Sequence, residues 1–313
     1  MGQLGSSDYM CDTSSHPSDM YCRMVVARRL RDGQQPVQDA PGLLHLQSDR
    51  WHGEVNALSE SRPRAFLYKN FLTPEECDHL VQLALPDLQT SMVEDPETGE
   101  ETVSKDRTSR NAFLLLEQDE VVARIEKRIS SVTHIPSSHG ERLQVLEYVN
   151  GQKYNAHYDY LDNPANCARA DGGHRLATFL MYLSTIPDSG GGETCFPNAE
   201  TGKMFGEPWS ECAQGKLAVK PRKGDALLFF DMNLDNSKDS YALHEACPTT
   251  EGVKYSATKW LRMYPRGGGC FDAYVDCKEW SLKGECEANP SFMLKECKKS
   301  CQACEDGTIP VGY

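Results

Sequence analysis

Three side chains along this sequence could together bind a metal ion. His157 and Asp159 are separated by one residue, and in an extended backbone two such side chains point to the same face. A pair of this kind also occurs by chance on protein surfaces, so it needs a third ligand, for which His244 is the leading candidate. Two histidines and a carboxylate leave positions on iron open for O2 and a bidentate 2-oxo acid. The three residues therefore indicate iron-dependent oxygenase chemistry.

Lys254 could bind the other end of such an acid. It follows His244 by ten residues and lies in a segment that otherwise reads as a buried strand. A lysine ammonium in the interior would bind the far carboxylate of the acid through a charge-assisted hydrogen bond. The same carboxylate would keep the lysine charged despite its removal from water. Lys254 thus has a reason to face inward.

Two helices and a run of strands would position these residues. Thr73 is a candidate N-cap, Pro74 fits the first helical position and Glu76 completes a capping box, so a helix should begin there. A second helix is predicted over 119–133. Strands are predicted over 65–71, 142–149, 174–184, 217–219, 226–231 and 255–264. The predicted fold class is α+β, with a core that is a β-sandwich or a double-stranded β-helix (jelly roll) and is backed by helices.

Longer motifs surround the candidate residues. They are Glu-Tyr-x5-Tyr-x2-His-x-Asp over 147–159, Arg-Leu-Ala-Thr-Phe-Leu-Met-Tyr-Leu over 175–183, Gly-Gly-Glu-Thr-Cys-Phe-Pro over 191–197, Lys-Gly-Asp-Ala-Leu-Leu-Phe over 223–229, and His-x2-Cys-Pro-x5-Lys-x-Ser-Ala-Thr-Lys-Trp over 244–260. A stretch of roughly 200 residues that contains these motifs resembles prolyl 4-hydroxylases of the plant and algal type. The resemblance implies hydroxylation of peptidyl proline to 4-hydroxyproline, coupled to oxidative decarboxylation of 2-oxoglutarate to succinate and CO2. Such an enzyme is an Fe(II)- and 2-oxoglutarate-dependent dioxygenase of the procollagen-proline 4-dioxygenase type.

The resemblance also implies roles for single residues and a set of cofactors. The iron ligands of the family correspond to His157, Asp159 and His244, which with Lys254 would form the catalytic set. The cofactors and cosubstrates would be Fe(II), 2-oxoglutarate, O2 and L-ascorbate. Contacts to 2-oxoglutarate correspond to Tyr148, Thr194 and Lys254. Tyr148 also has a purely structural interpretation, as a half-buried strand residue.

Positions that contact the peptide in this family resemble Tyr154, Arg175 and Trp260. An aromatic groove suits a proline-rich partner, because a polyproline II chain is already ordered and presents flat rings for stacking. Trp260 could equally be a core tryptophan. Arg262 stands where the family pattern has histidine, which leaves the peptide preference open. The charged segment 94–111 corresponds to a loop that closes over the peptide, although a solvated surface loop would have the same composition.

Two other functions compete with this hypothesis. The same core could hydroxylate another peptidyl residue, such as lysine. Alternatively, the chain could be a non-catalytic binding protein whose function resides in its C-terminal module. The complete set of His157, Asp159, His244 and Lys254 speaks against the second alternative, since a protein without catalysis has no reason to retain all four.

Composition argues against binding to nucleic acid and against a transmembrane segment, and it suggests three regions in the chain. A formal net charge of −13 argues against binding to a phosphate backbone, which needs clustered lysine and arginine, so nucleic acid is not expected. Apolar runs are too short for a transmembrane segment. Residues 1–54 read as a polar linker segment, 55–265 as the dioxygenase domain and 270–304 as a small module. The glycines at 267–269 would form a hinge before it.

Six cysteines within the module indicate a disulfide scaffold. A zinc site is disfavoured, since no histidine lies among them and the spacing is not that of paired Cys-x2-Cys knuckles. Sequence alone allows fifteen pairings. The spacing resembles a ShKT domain, which implies the pairs Cys270–Cys304, Cys277–Cys297 and Cys286–Cys301. The oxygenase resemblance also suggests a disulfide between Cys212 and Cys247.

Thirteen cysteines point to an oxidising compartment, so we expect the lumen of the endoplasmic reticulum or Golgi. The first residues show neither the basic region nor the apolar stretch of a signal peptide. The sequence therefore does not indicate how the chain would reach that compartment.

Overall fold

The computed structural model describes residues 51–94, 101–163, 167, 172–265, 277–298 and 300–303. Fourteen strands lie in the part before residue 265: β1 Val55–Ser59, β2 Ala65–Tyr68, β3 Gln89–Thr90, β4 Met92–Glu94, β5 Glu101–Val103, β6 Arg110–Phe113, β7 Gln144–Val149, β8 Tyr154–His157, β9 Arg175–Tyr182, β10 Thr194–Phe196, β11 Leu217–Val219, β12 Ala226–Phe230, β13 His244–Ala246 and β14 Val253–Arg262. A large sheet has the order β1-β2-β12-β9-β14-β7-β6-β3, and a small sheet has the order β11-β10-β13-β8. A separate β4-β5 hairpin completes the set.

Apolar side chains from the two sheets meet between them. Phe196 of β10 and Phe229 of β12 make an edge-to-face contact with ring centroids 5.2 Å apart. Tyr182, Leu217 and Leu227 belong to the same buried cluster. Burial of such aromatic and aliphatic groups is the main force that holds two sheets together. The predicted β-rich core is therefore confirmed.

Two helices cover the other face of the large sheet. Helix α1 (Pro74–Ala84) and helix α2 (Glu120–Thr133) place Leu80 and Ile125 in the larger buried cluster, together with Phe179 and Met181 of β9. Apolar residues at helical spacing give each helix one buried face. The helices thus back the core as the sequence predicts.

The start of each helix is fixed by side-chain caps. The amide of Glu76 donates to Thr73 Oγ1 at 3.2 Å, and the amide of Thr73 donates to the Glu76 carboxylate at 3.1 Å, so both halves of the predicted capping box are present. Asp119 caps α2 by accepting from two amides, at 3.0 and 2.8 Å. The second helix therefore begins at Glu120, with Asp119 as its cap.

The predicted strands are present with small shifts at their ends. The strand predicted over 65–71 ends at Tyr68, because Asn70 adopts a left-handed backbone with φ of 52° that a strand cannot accommodate. Phe71 and Leu72 are still buried, in the connection that follows. The last strand begins at Val253 instead of 255, which places Lys254 inside β14.

The C-terminal module contains three short helices: α3 Cys277–Leu282, α4 Glu285–Ala288 and α5 Pro290–Glu296. Disulfides join Cys277 to Cys297 and Cys286 to Cys301, which confirms two of the three pairs that the resemblance implies. The pair Cys270–Cys304 and the glycines at 267–269 lie outside the described residues. Met293 is the one large aliphatic residue that the module buries with its disulfides within the described residues, so these bonds replace a core.

In the oxygenase part, Cys212 and Cys247 form the expected disulfide. Cys77 and Cys195 are buried thiols, and Cys167 is a partly exposed one. Of the predicted polar segment 1–54, residues 1–50 lie outside the described residues, while Trp51 contacts Tyr68 with ring centroids 5.2 Å apart. Among the helices of the described residues, none combines the length and the apolar character needed to cross a bilayer.

Candidate active site

Neighbouring strands of the small sheet bring the three predicted metal ligands together. His244 in β13 lies directly opposite His157 in β8, and their ring centroids are 4.3 Å apart. Asp159 follows β8, with carboxylate oxygens 3.7 Å from His157 Nε2 and 3.5 Å from His244 Nε2. One ligand atom from each residue lies within 4.8 Å of the other two. The arrangement can hold one metal ion.

Hydrogen bonds from the backbone fix the tautomer of both imidazoles. His157 Nδ1 is 2.8 Å from the carbonyl oxygen of Asn155, and His244 Nδ1 is 3.0 Å from that of Ala242. A carbonyl oxygen only accepts, so each Nδ1 carries the proton and donates. In the neutral imidazole, Nε2 then has a free lone pair, as a metal ligand requires.

Electrostatics favour the charge states that a metal requires at His157 and Asp159. Burial, reinforced by His244, lowers the pKa of His157, so this imidazole is neutral at pH 7. Burial opposes ionisation of Asp159, but the two imidazoles, Arg175 and a hydrogen bond from Thr178 together lower the pKa of its carboxyl below the ordinary value. Neutral imidazole nitrogen and ionised carboxylate on one side of a site are the donor set of iron(II) oxygenases.

The ligands lie in the wall of a cavity of about 1100 Å³ between the two sheets. The large sheet contributes Tyr148, Arg175, Lys254 and Trp260 to its lining. The small sheet contributes Tyr154 and Thr194 in addition to the two histidines. The structure therefore brings every predicted site residue of the oxygenase domain to one cavity.

Lys254 is a buried cation to which no anionic group is bonded within the described residues. Only 1% of its surface is exposed, and the contact recorded for its ammonium is with the ring of Tyr148. Burial lowers the pKa of Lys254 to about 8. Tyr148 lies directly opposite in the sheet, and its ring centroid is 5.1 Å from Lys254 Nζ. An anionic group placed beside Lys254 would relieve this uncompensated burial.

Tyr148 and Thr194 add hydroxyl groups to the lining of the same cavity. Burial raises the pKa of Tyr148 to about 12, so its phenol remains a hydrogen-bond donor. Thr194 Oγ1 accepts from the buried hydroxyl of Tyr182 at 2.9 Å, which leaves the Thr194 proton free to be donated elsewhere. Two hydroxyl donors and one ammonium can together bind a carboxylate.

The three residues predicted to contact a peptide form another part of the wall. Tyr154 stacks on His157 with ring centroids 3.5 Å apart. The Arg175 guanidinium lies 3.6 Å above the ring of Trp260. Trp260 Nε1 is buried and has no hydrogen-bond partner among the described residues. The wall is thus aromatic and cationic, with one unused donor.

Comparisons with known proteins agree with this geometry. The sequence profile of the 2OG-Fe(II) oxygenase superfamily matches residues 143–262, and that of ShK domain-like modules matches residues 269–304. Probable prolyl 4-hydroxylase 6 of Arabidopsis thaliana is 47% identical over 254 residues, which cover 77% of this chain and 87% of the relative. Prolyl 4-hydroxylase 2 of the same plant is 44% identical over 261 residues, 78% of this chain and 86% of the relative. This chain belongs to the prolyl 4-hydroxylase family.

A solved structure is also similar. It is the viral collagen prolyl hydroxylase of Paramecium Bursaria Chlorella virus-1 in complex with 2OG, at 28% identity and a TM-score of 0.47, with 63% of this chain and 95% of that chain covered.

As a prolyl 4-hydroxylase, the chain is an Fe(II)- and 2-oxoglutarate-dependent dioxygenase that converts peptidyl proline to 4-hydroxyproline and 2-oxoglutarate to succinate and CO2. The residues present fit both groups. His157, Asp159 and His244 offer the donor set for iron(II), and the buried ammonium of Lys254 offers a binding group for a carboxylate. A non-catalytic binding protein would not need this set of residues.

Three further residues of this prolyl 4-hydroxylase site were missed by the sequence reasoning. Thr178 donates to Asp159 at 2.7 Å. Glu141 accepts from Arg175 through both carboxylate oxygens, at 2.9 and 3.2 Å, and from Arg262 Nε at 2.6 Å. Arg107 lies 4.8 Å from the ring of Tyr154, so the segment predicted to close over the peptide reaches the wall. Only Thr178 had a signal in the sequence, as a lone hydroxyl within an apolar strand.

Proposed function

We propose that this prolyl 4-hydroxylase acts on proline-rich chains in the polyproline II conformation. The observation that carries the proposal is the wall of Tyr154, Arg175 and Trp260, with its one unused N–H donor. A polyproline II chain makes no internal hydrogen bonds, so its carbonyls can accept from such a donor. Its proline rings offer flat apolar faces to the aromatic side chains. The groove and this substrate are therefore complementary.

Within the site, we assign the holding of iron(II) to His157, Asp159 and His244. Lys254 would bind the far carboxylate of 2-oxoglutarate, with Tyr148 and Thr194 as additional donors. When bound, iron with 2-oxoglutarate and O2 supplies the oxidising power that replaces hydrogen at C4 of proline by hydroxyl. The chain itself contributes position and exclusion of water.

In the wall that would contact the peptide, Arg175 is held in place by its neighbours. The guanidinium of Arg175 is fixed by the carboxylate of Glu141 on one side and by the ring of Trp260 on the other. A bidentate pair of this kind leaves little freedom to the arginine. A peptide would therefore meet a preformed surface, which lowers the entropic cost of binding.

The test is turnover with matched peptides. Succinate release should be stimulated by a proline-rich peptide, and amino-acid analysis should find 4-hydroxyproline in it. A peptide of equal length in which lysine or alanine replaces proline should give no hydroxylated product. Trp260→Phe, which keeps the ring and removes the N–H, should raise KM for the peptide about tenfold, the range for one lost hydrogen bond in a dry site. If prolines in a proline-rich peptide and isolated prolines in a globular substrate were hydroxylated equally fast, the proposed preference would be overturned.

We also propose that the enzyme works in the lumen of the secretory pathway, with L-ascorbate as reductant. The three disulfides found among the described residues support this proposal, since such bonds persist in oxidising compartments. Cell fractionation with protease protection should find the protein inside endoplasmic reticulum or Golgi vesicles. Ascorbate should prolong turnover in vitro. Cytosolic protein with reduced cysteines would contradict the proposed location.

A further inference from the structure

The hydroxyl of Thr178 lies between two carboxyl groups, only one of which belongs to the proposed metal site. Thr178 Oγ1 is 2.7 Å from Asp159 Oδ2 and 3.0 Å from Asp231 Oδ2. Thr178 stands in β9, and Asp231 follows directly after the neighbouring strand β12. The Asp231 amide donates to the carbonyl of Leu176 at 2.9 Å, which holds the two side chains together.

Only one protonation pattern satisfies both contacts. A threonine hydroxyl has one proton to donate, so it cannot donate to two ionised carboxylates. Asp159 must be ionised to serve as a metal ligand, and its contact with Thr178 is the shorter one. The Thr178 proton therefore goes to Asp159, and the Thr178 oxygen is left as an acceptor. The contact with Asp231 is then a hydrogen bond only if Asp231 carries a proton and donates it.

The surroundings of Asp231 favour the neutral acid. Its side chain is fully buried, and its second oxygen, Oδ1, has no hydrogen-bond partner among the described residues. An ionised carboxylate there would leave a buried charge with neither oxygen satisfied, which is costly. The charged groups that influence it are Asp159 and Asp239, which oppose ionisation, and Arg175, which is already engaged by Glu141. Burial raises the pKa of Asp231 well above its usual range.

We propose that Asp231 is a protonated carboxylic acid that positions the metal ligand Asp159 through the hydroxyl of Thr178. The inference rests on the proposed role of Asp159 as a ligand. Asp231 does not line the cavity within the described residues, so it is a positioning residue that touches neither metal nor substrate. Its proton fixes the Thr178 hydroxyl, and the hydroxyl fixes the plane of the Asp159 carboxylate.

Neutrality at Asp231 also matters for the charge of the site. With Asp231 uncharged, Asp159 is the one negative charge of the ligand set, so a bound divalent ion keeps a net positive charge. A 2-oxo acid with two carboxylates is attracted to that charge. A second ionised carboxylate behind Thr178 would weaken the attraction.

Infrared spectroscopy tests the protonation state without using activity. The difference spectrum between the wild-type protein and Asp231→Asn at neutral pH should contain the carbonyl stretch of a protonated carboxylic acid. The difference spectrum for Asp159→Asn should instead contain only the stretches of an ionised carboxylate. An ionised carboxylate signal for Asp231 would overturn the proposal.

Metal titration tests the positioning role. Iron(II) affinity is measured by calorimetry under anaerobic conditions with the metal alone. Asp231→Asn retains a neutral N–H donor toward Thr178 and should keep the affinity within about threefold, whereas Asp231→Leu and Thr178→Val should each lower it by about 10- to 100-fold, the range for residues that orient a ligand. Asp239→Asn, which changes a neighbouring buried carboxyl that does not contact Thr178, is the matched control and should have no effect. Equal losses in Asp231→Asn and Asp231→Leu would contradict the proposal.

Two controls separate failure of this inference from failure of the proposed ligand set. Circular dichroism must first show that the Asp231→Leu variant is folded. If this variant is not folded, the infrared measurement still tests whether Asp231 is protonated. If Asp159→Ala binds iron(II) as tightly as the wild type, the ligand assignment itself fails. If Asp159→Ala loses the metal while Asp231→Asn behaves like Asp231→Leu, only the role of Asp231 is wrong.

Discussion

The two imidazoles of the metal site are oriented by backbone carbonyls close to them in the chain. Each donates from Nδ1 to a carbonyl two residues earlier in the chain, so the orientation of each ring is fixed by the protein itself. Preorganised ligands bind without an entropic cost of ordering. It follows that removing one of them should affect metal binding much more than folding.

His157→Ala, Asp159→Ala and His244→Ala should each abolish turnover and lower iron(II) affinity by more than about 100-fold, because a direct ligand is worth more than the residues that orient it. Succinate release and anaerobic metal titration measure the two effects. Unchanged far-ultraviolet circular dichroism serves as the control for folding. Normal turnover in any one variant would remove that residue from the ligand set.

Lys254→Ala should raise the KM for 2-oxoglutarate by about 100-fold or more, because a charged hydrogen bond of roughly 3 kcal/mol is lost in a dry pocket. The KM for the peptide should change little. Lys254→Arg should restore part of the affinity, since its guanidinium is planar and longer than an ammonium. An unchanged KM for 2-oxoglutarate in Lys254→Ala would show that the carboxylate binds elsewhere.

The lowered pKa of Lys254 predicts a pH dependence of cosubstrate binding. In the ligand-free protein the ammonium loses its proton as the pH rises through about 8, whereas an ordinary lysine does so near 10.5. A carboxylate binds the charged form, so the affinity for 2-oxoglutarate should be constant below pH 8 and fall up to about tenfold for each further pH unit. Lys254→Arg, which stays charged, is the control and should show no such fall. Calorimetric titration at several pH values between 7 and 9.5 decides the matter.

Among the structural elements, the loop that contains Cys212 is attached to the small sheet at two points. The disulfide joins Cys212 to Cys247, just beyond β13. The carboxylate of Glu193 accepts from the amide and the hydroxyl of Ser210, at 3.1 and 2.8 Å. Glu193 precedes Thr194 of β10, so the loop is tied to β10 and β13, two of the three strands of the small sheet that carry site residues.

Cys212→Ser should lower the free energy of unfolding by about 2–4 kcal/mol, because the unfolded chain regains the freedom that the disulfide removes. Chemical denaturation under non-reducing conditions measures the change. Cys167→Ser, which replaces a thiol outside any disulfide, should have almost no effect. Equal stability of Cys212→Ser and the wild type would mean that the bond is not formed in the native protein.

The sequence predicted elements well where a local signal was strong. The caps of α1 and α2 place polar side chains at fixed spacing before an apolar pattern, and both helix starts were predicted to within one residue. Strands β10 and β13 were missed: they have only three residues each and mix polar with apolar side chains, whereas β11, which is equally short but entirely apolar, was predicted. The metal ligands could be predicted, because the spacing of His157 and Asp159 indicates two side chains on one face of an extended chain. The contacts of Thr178 and Glu141 depend on which strands become neighbours, and no local pattern contains that information.

On the scale of the whole molecule, catalysis should be separable from the C-terminal module. The module has its own disulfides and its own small buried cluster, which is typical of an independently folded unit. Deleting residues 266–313 should therefore leave kcat and KM for a short proline-rich peptide within about twofold. Activity toward a long natural substrate should fall if the module supplies a second attachment point.

Both substrates are assayed with the truncated and the full-length enzyme, after mass spectrometry has established the disulfides of the module. A folded truncated protein that no longer hydroxylates the short peptide would place the module at the active site. The Cys286→Ser variant, which breaks one disulfide of the module, offers a milder version of the same comparison.

The proposed site draws on both sheets, and this has a consequence for the choice of acid. The metal ligands belong to the small sheet, whereas Lys254 and Tyr148 belong to the large one. Packed sheets keep a separation of about 10 Å, so the span between the metal and the ammonium is set by the aromatic cluster that keeps the sheets apart. We therefore expect the separation of the sheets to select for the chain length of the acid, so that the five-carbon 2-oxoglutarate binds more tightly than its shorter and longer homologues. Selectivity for the cosubstrate would then depend on the side chains packed between the two sheets as much as on the groups that contact the acid.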